Sequence, residues 1–222
     1  MRKIISTKTL AASDKNHLLQ AGVSLVEYDA LKIETLPFSI ASDYDTYLFS
    51  SQNAVAALKQ YWKNQNTAHL QQASIYCIGE KTSQGLKDLG LGVLKHFDNA
   101  QQLIEFLKTQ DFKSCWLHGN HVTPTLEQWL RAKGSDSYTV YLSSMNKKKF
   151  ADDYNAVLFF SPRGVESFAS ENNLNNKTTF CIGETTAAKA RTHTPDVVVA
   201  KSPTSTSLVL KLIQHYKAKN ES

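Results

Sequence analysis

The 222-residue chain has five Pro and nine Gly, too few for a collagen-like repeat or a Pro-rich low-complexity tract. No apolar run approaches the ~18 residues that a membrane-spanning helix needs, so no membrane partner is expected. The first residues, Met1-Arg2-Lys3-Ile4-Ile5-Ser6-Thr7, carry two basic side chains but no apolar stretch behind them, unlike a secretory signal. Walker loops and GxGxxG fingerprints are missing, which leaves nucleotide binding without motif support. RNP-type aromatic motifs, zinc-finger spacings and long basic helices are missing too, so no nucleic-acid partner is expected. The three cysteines, Cys77, Cys115 and Cys181, lie in or beside short apolar runs. They read as buried small hydrophobes in a reducing compartment, and the cytoplasm is the expected location.

What is present is ordinary for a folded protein: 41% hydrophobic and 20% charged residues. At ~150 residues per domain the length falls between one domain and two. The formal net charge of +5 suits an anionic partner. The tightest basic run, Lys147-Lys148-Lys149, reads as a solvated connector.

Short β-rich runs alternate with amphipathic helical stretches along nearly the whole chain. The runs are Lys3–Ser6, Ser24–Tyr28, Tyr47–Ser50, Ser74–Ile78, Gly92–His96, Lys113–His118, Ser137–Leu142, Asn155–Phe160, Thr178–Ile182 and Asp196–Ala200. Between them, Val55, Leu58 and Trp62 share a helical face, as do Leu126, Trp129 and Leu130, and Leu208, Leu212, Ile213 and Tyr216. Strand–helix alternation implies an α/β fold with mostly parallel sheets covered by helices. Two extended segments without a following helix, Ala30–Phe38 and Val140–Phe150, read as connectors between lobes. Five runs lie between them, two before and three after. The balanced assignment is a discontinuous lobe, 1–36 plus 147–222, with a lobe of 37–146 inserted.

An internal echo supports two related lobes. Tyr44-Asp45-Thr46-Tyr47-Leu48-Phe49-Ser50-Ser51-Gln52-Asn53-Ala54-Val55 is matched by Tyr154-Asn155-Ala156-Val157-Leu158-Phe159-Phe160-Ser161-Pro162-Arg163-Gly164-Val165, and Cys77-Ile78-Gly79-Glu80-Lys81-Thr82 by Cys181-Ile182-Gly183-Glu184-Thr185-Thr186. In each, a strand ends in Ser and a helix starts at once, so Ser51 and Ser161 read as helix caps. These positions also fall at the carboxyl ends of parallel strands, where helix starts offer free N–H groups to anions. Gly79 and Gly183 let backbone approach a ligand, and Thr82 and Thr186 add hydroxyls in the first helical turn. Cys115, His118 and His121 have ligand-like spacing, but a fourth ligand is not evident, and no metal site is assigned.

These motifs carry a resemblance. The chain resembles the uroporphyrinogen-III synthase family over nearly its full length, through Phe49-Ser50-Ser51-Gln52-Asn53-Ala54-Val55, Ile78-Gly79-Glu80-Lys81-Thr82, Val140-Tyr141, Phe160-Ser161-Pro162-Arg163-Gly164-Val165, Ile182-Gly183-Glu184-Thr185-Thr186-Ala187 and Ser202-Pro203-Thr204. The resemblance implies a two-lobed α/β fold joined by two extended strands, with substrate held between the lobes. It implies a lyase that cyclises hydroxymethylbilane, with loss of water and inversion of ring D, to uroporphyrinogen III for tetrapyrrole (haem) synthesis. No cofactor is expected, and the protein is expected to be a monomer.

The resemblance also marks site residues. Tyr141 matches the family's linker tyrosine and is the candidate acid or hydrogen-bond donor. Ser51, Asn53, Thr82, Ser161, Gly164 and Thr186 match cleft positions. Ser50 and Gly79 share those strand ends, Gly119 and Asn120 end another strand, and Thr204 follows Pro203. Lys8 stands where the family often has Arg, keeping the charge without the bidentate geometry. Arg163 replaces a more usual small residue and is read as a carboxylate contact. The rival from another class is a non-catalytic two-lobed binding protein for small polyanions.

Overall fold

In the computed structural model, which describes residues 2–41, 43–62 and 68–218, the alternating pattern becomes strands and helices in the same order. The chain opens with β1 (Arg2–Ser6), α1 (Ala12–Gln20) and β2 (Val23–Glu27). It continues with β3 (Leu31–Thr35), β4 (Thr46–Phe49), α2 (Gln52–Trp62), α3 (Ala68–Gln72), β5 (Ser74–Ile78) and α4 (Glu80–Asp88). Next come β6 (Val93–Phe97), α5 (Ala100–Leu107), β7 (Ser114–Gly119), α6 (Pro124–Ala132) and β8 (Asp136–Met145). It closes with β9 (Ala156–Phe159), α7 (Pro162–Ala169), β10 (Thr178–Cys181), α8 (Glu184–Ala190), β11 (Val197–Val199) and α9 (Ser205–Ala218). Contacts divide these elements into two units, Met1–Lys32 with Ser144–Ser222, and Ile33–Ser143.

The discontinuous unit holds a five-stranded sheet in the order β11-β10-β9-β1-β2, in which the paired strands run parallel. Both faces are covered, so successive strand residues alternate between two cores. Ile5, Val157, Phe159 and Cys181 pack with Val165, Phe168 and Ala187 of α7 and α8. Ile4, Ala156, Leu158 and Phe180 pack with Leu18 of α1 and Leu208, Val209 and Leu212 of α9. Helices α1 and α9 are tied by Asp14, 1% exposed, whose carboxylate accepts from Ser205 Oγ (2.6 Å) and Thr206 Oγ1 (2.8 Å).

The inserted unit holds a six-stranded sheet in the order β3-β8-β7-β4-β5-β6. Tyr47, Phe49, Ile75, Cys77, Cys115 and Leu117 face Leu58 of α2 and Leu86 of α4. On the opposite face Leu48, Tyr76 and Trp116 meet Leu103 of α5 and Leu126 and Leu130 of α6.

The chain passes from one unit to the other at Lys32/Ile33 and Ser143/Ser144, inside the two extended segments, and each segment also carries a strand. Ala30–Phe38 contains β3, an edge strand beside β8, and Leu36 N–H donates to Val140 O at 3.0 Å. Much of Val140–Phe150 belongs to β8, which runs on to Met145. The inserted sheet therefore has six strands, one more than its five apolar runs predict. Lys32, Ile33 and Glu34 of β3 are exposed, so this edge strand lacks the apolar density by which the other strands stand out.

The echo has a structural counterpart. Phe49 pairs with Cys77 across β4 and β5, and Phe159 pairs with Cys181 across β9 and β10. Echoed residues thus occupy equivalent register positions in each sheet, and α2 packs on α4 as α7 packs on α8. The glycines after the second strands differ. Gly79 has φ of 89°, a backbone conformation that favours glycine, whereas Gly183 is extended at φ −170°.

Candidate active site at the strand ends

Strand β4 delivers Ser50 and Ser51 to the carboxyl edge of the inserted sheet, immediately before α2. Ser51 Oγ accepts from the Asn53 N–H at 3.1 Å, satisfying a helix-start donor. The same oxygen accepts from the Tyr141 hydroxyl at 3.0 Å. Next to it, the Trp116 indole N–H donates to Ser50 Oγ at 3.1 Å. Both serines are therefore held by aromatic donors, one from the adjacent strand β7 and one from β8 beyond it.

The strands bring those aromatics in by a specific local arrangement. Gly119, the last residue of β7, pairs with Tyr141 of β8, and the register shifts between His118 and Gly119. A Cβ at residue 119 would stand 2.3 Å from Tyr141 Cζ and 2.4 Å from Cε2, so the phenol ring lies where a side chain would otherwise be. Trp116 is 2% exposed, and its ring stacks on His118 at 4.2 Å between centroids. His118 Nδ1 lies 2.8 Å from Gly119 O, fixing the imidazole against the turn.

A cavity of about 400 Å³ opens here, lined by Ser50, Ser51, Trp116, Gly119, His121 and Tyr141 among others. Helix starts complete it. Asn99 and Ala100 come from the start of α5, and Thr123 precedes Pro124 at the start of α6. Asn99 already accepts from the Gln102 N–H, whereas Thr123 makes no side-chain cap bond. Ser51 Oγ has two lone pairs, and both are occupied by Tyr141 and Asn53, so its remaining bond to a ligand is as a donor. A pocket of hydroxyl donors and helix starts suits an oxygen anion.

The other residues expected on this unit stand nearby in different roles. Asn53, Gly79, Thr82 and Asn120 are not among the pocket's lining residues. Gly79 donates its N–H to Phe97 O at 2.8 Å, joining β6 to the start of α4. Thr82 is buried at 4% exposure, so the hydroxyl expected to serve a ligand lies within the helix packing. Asn120 spends its side chain on β8, accepting from the Ser143 N–H at 2.8 Å and donating to Ser143 O at 3.4 Å.

The remaining expected residues lie on the discontinuous unit. Ser161 caps α7, accepting from Gly164 N–H at 3.0 Å, so that amide is engaged within the helix start. Gly164 also lies close to Thr7, whose Oγ1 would stand 3.6 Å from a Cβ there. Arg163 is half-buried in the first turn of α7. Lys8 is exposed in the turn after β1, where its N–H and C=O both meet Ser6 Oγ. Thr186 is buried at 3% exposure in α8, as Thr82 is in α4. Thr204 is exposed, and its Oγ1 accepts from Ser207 N–H at 3.2 Å at the start of α9.

The three thiols are free and buried. Burial pushes Cys77 up to about 11 against the opposing Ser83 hydrogen bond, and pushes Cys115 up to about 12 with help from the Asp136 charge. Burial also takes Cys181 to about 12. Cys115 packs toward α2 while Trp116 packs toward α5 and α6, and the two-residue strand period puts His118 on the Trp116 face. Cys115 and His118 therefore cannot share one ligand set. Among the described residues, no group of three or more His, Cys, Asp or Glu is placed to hold a metal ion, and no helix is long and apolar enough to cross a membrane.

Trp116, Asn99 and Thr123 line the pocket as well, outside the motifs that mark the expected site. Trp116 reads as core inside an apolar strand, although its two-residue spacing from His118, just before Gly119-Asn120, put both on one face at a strand end. Asp98-Asn99 and Thr123-Pro124 carry recognisable helix-start signals.

A mostly parallel α/β protein with a polar pocket at its strand ends belongs to the class whose ligands bind beyond the carboxyl ends of the strands. The family model for uroporphyrinogen-III synthase HemD matches residues 13–210, so the chain belongs to the uroporphyrinogen-III synthase family, enzymes that cyclise a small tetrapyrrole in porphyrin biosynthesis. Solved structures agree on the fold. Uroporphyrinogen-III synthetase from Helicobacter pylori aligns with a TM-score of 0.72 at 20% identity, covering 97% of this chain and 100% of that one. A mutant uroporphyrinogen III synthase from Thermus thermophilus aligns at 0.70 with 16% identity, covering 100% of both chains. The wild-type Thermus thermophilus enzyme in another crystal form aligns at 0.53 with 16% identity, covering 99% of this chain and 100% of that one. No curated protein sequence matches the chain significantly.

Proposed function

We propose that the strand-end pocket of the inserted unit is where the chain handles the reacting end of hydroxymethylbilane, converting it to uroporphyrinogen III. The substrate is a linear tetrapyrrole polycarboxylate. Its terminal hydroxyl leaves as water, giving a reactive azafulvene. The substituted carbon of ring D then attacks, and the ring inverts through a spiro intermediate. Since the azafulvene is reactive in itself, the enzyme's task is chiefly to hold ring D for attack through that carbon, which is catalysis by orientation.

Tyr141 is the donor assigned to the leaving hydroxyl, acting directly or through Ser51, whose Oγ receives the phenol proton at 3.0 Å. Ser50 and Ser51 offer hydroxyls to substrate oxygen, with Gly119 making room for the phenol. Asn53, Gly79, Thr82 and Asn120 hold the strand ends in shape. On the discontinuous unit, Lys8 and Arg163 supply positive charge for substrate carboxylates, and Ser161, Gly164, Thr186 and Thr204 mark the helix starts assigned to the same task. The protein acts as a cytoplasmic monomer, and its product feeds haem synthesis.

The observation that carries this reading is the convergence of Tyr141, Ser51, Ser50 and Trp116 on one pocket edge. The test is incubation with freshly prepared hydroxymethylbilane and separation of the uroporphyrinogen isomers. Type III product is expected. Type I product at the spontaneous rate would refute catalysis and leave the rival reading, a non-catalytic polyanion-binding protein.

A further inference from the structure

We propose that Trp116 is a positioning residue that acts through Ser50, an inference that rests on the reaction assigned above. The Trp116 indole can only donate, and its sole N–H goes to Ser50 Oγ at 3.1 Å. With that lone pair engaged, the Ser50 hydroxyl hydrogen is directed away from the indole. The indole itself has little freedom to turn. It is 2% exposed, stacked on His118, and packed in the core that includes Leu103, Leu126 and Leu130.

Ser51 is treated in the same way from the opposite side of the sheet, by the Tyr141 hydroxyl and the Asn53 N–H. Adjacent serines on one strand end are thus each turned into an oriented hydroxyl donor, one by an indole and one by a phenol. Both line the same cavity. A pre-oriented Ser50 hydroxyl fits one oxygen of a substrate carboxylate, and orientation in advance spares the ordering cost at binding. Trp116 thereby sets how firmly ground state and transition state alike are held, so its removal acts on KM and not on kcat.

The test is a kinetic double-mutant cycle on the full chain with hydroxymethylbilane. Trp116→Phe keeps an aromatic ring and removes the N–H. It is expected to raise KM about fivefold, the worth of one ordinary hydrogen bond, with kcat near wild type. Ser50→Ala is expected to raise KM by at least as much, and Ser50→Thr, which restores a hydroxyl, to recover most of it. In the Ser50→Ala background, Trp116→Phe should change KM by less than about twofold, because the route through Ser50 is gone. An equal effect of Trp116→Phe in both backgrounds overturns the proposal, as does an unchanged KM. A fall in kcat and thermal stability with no KM change also overturns it. If Trp116→Phe does not fold, the Ser50→Ala and Ser50→Thr pair decides: failure of threonine to recover KM refutes an oriented Ser50 hydroxyl. Loss of type III product from the wild-type chain would instead be failure of the underlying reaction assignment.

Discussion

Replacing Gly119 by Ala puts a methyl group inside the space of the Tyr141 ring. The new carbon would stand 2.3 Å from Cζ, 2.4 Å from Cε2 and 2.7 Å from the hydroxyl oxygen. Carbon–carbon contact is comfortable only from about 3.5 Å, so the ring must retreat by about 1.2 Å. Tyr141 is 7% exposed and packed in the core beneath α2 and α4, so on that side the retreat meets filled space and the ring can give way only into the pocket it lines. Overpacking of this kind costs about 1–3 kcal/mol of stability. The functional consequence is larger. A displacement of about 1.2 Å stretches the 3.0 Å bond to Ser51 beyond hydrogen-bonding distance. Misplacing a reactive group by about 1 Å can lower turnover about 100-fold. The assay is kcat/KM for type III formation beside a urea unfolding midpoint. Tyr141→Phe serves as the control, since it removes the hydroxyl while leaving the ring in place. It should cost about 1 kcal/mol in stability and lower turnover far more than that figure alone accounts for. Gly119→Ala with activity within about threefold of wild type would show that the phenol's position does not matter, because so small a change is less than one hydrogen bond's worth.

Three further perturbations probe the frame around the site. Asp14→Ala removes the carboxylate joining α1 to Ser205 and Thr206 and leaves two hydroxyls seeking partners. It should destabilise the discontinuous unit by about 1–3 kcal/mol in urea titration, and a neutral result would show that the α1–α9 junction is held by packing alone. Burial holds the His69 imidazole below its ordinary range, so the unfolded chain takes up this proton first. Stability should therefore fall as pH drops through about 6.5, and His69→Leu should flatten that slope; an unchanged slope assigns the acid sensitivity elsewhere. Cys77, Cys115 and Cys181 should resist iodoacetamide at neutral pH and react together on unfolding, because all three are buried thiols pushed up to about 11 or 12. Rapid labelling of one thiol in the folded protein would contradict its placement in the core.

The buried strands were legible in the sequence because both of their faces are apolar, which leaves short continuous runs such as Ser74–Ile78. The echoed blocks went further and anticipated equivalent positions, since Phe49 with Cys77 and Phe159 with Cys181 are paired alike. Strand β3 was not legible as such. Its residues are largely exposed, and what makes it a strand is β8 alongside, a tertiary fact. In the site, Ser161 could be read as a cap from Ser-Pro alone, and the structure gives it that bond. The engagement of Asn120 with Ser143 could not, because it depends on where β8 lies. Nor could the partnership of Trp116 with Ser50, whose residues are 66 positions apart and meet only because β7 and β4 are neighbours.

Catalysis as proposed requires that the hydroxyls ending β4 touch the tetrapyrrole. A crystal structure with uroporphyrinogen III bound measures this directly. Substrate-derived oxygen within hydrogen-bonding distance of Ser50 Oγ and Ser51 Oγ, beside the Tyr141 phenol, is the predicted result. Product seated elsewhere, with the cavity around those two serines holding only water, would contradict it.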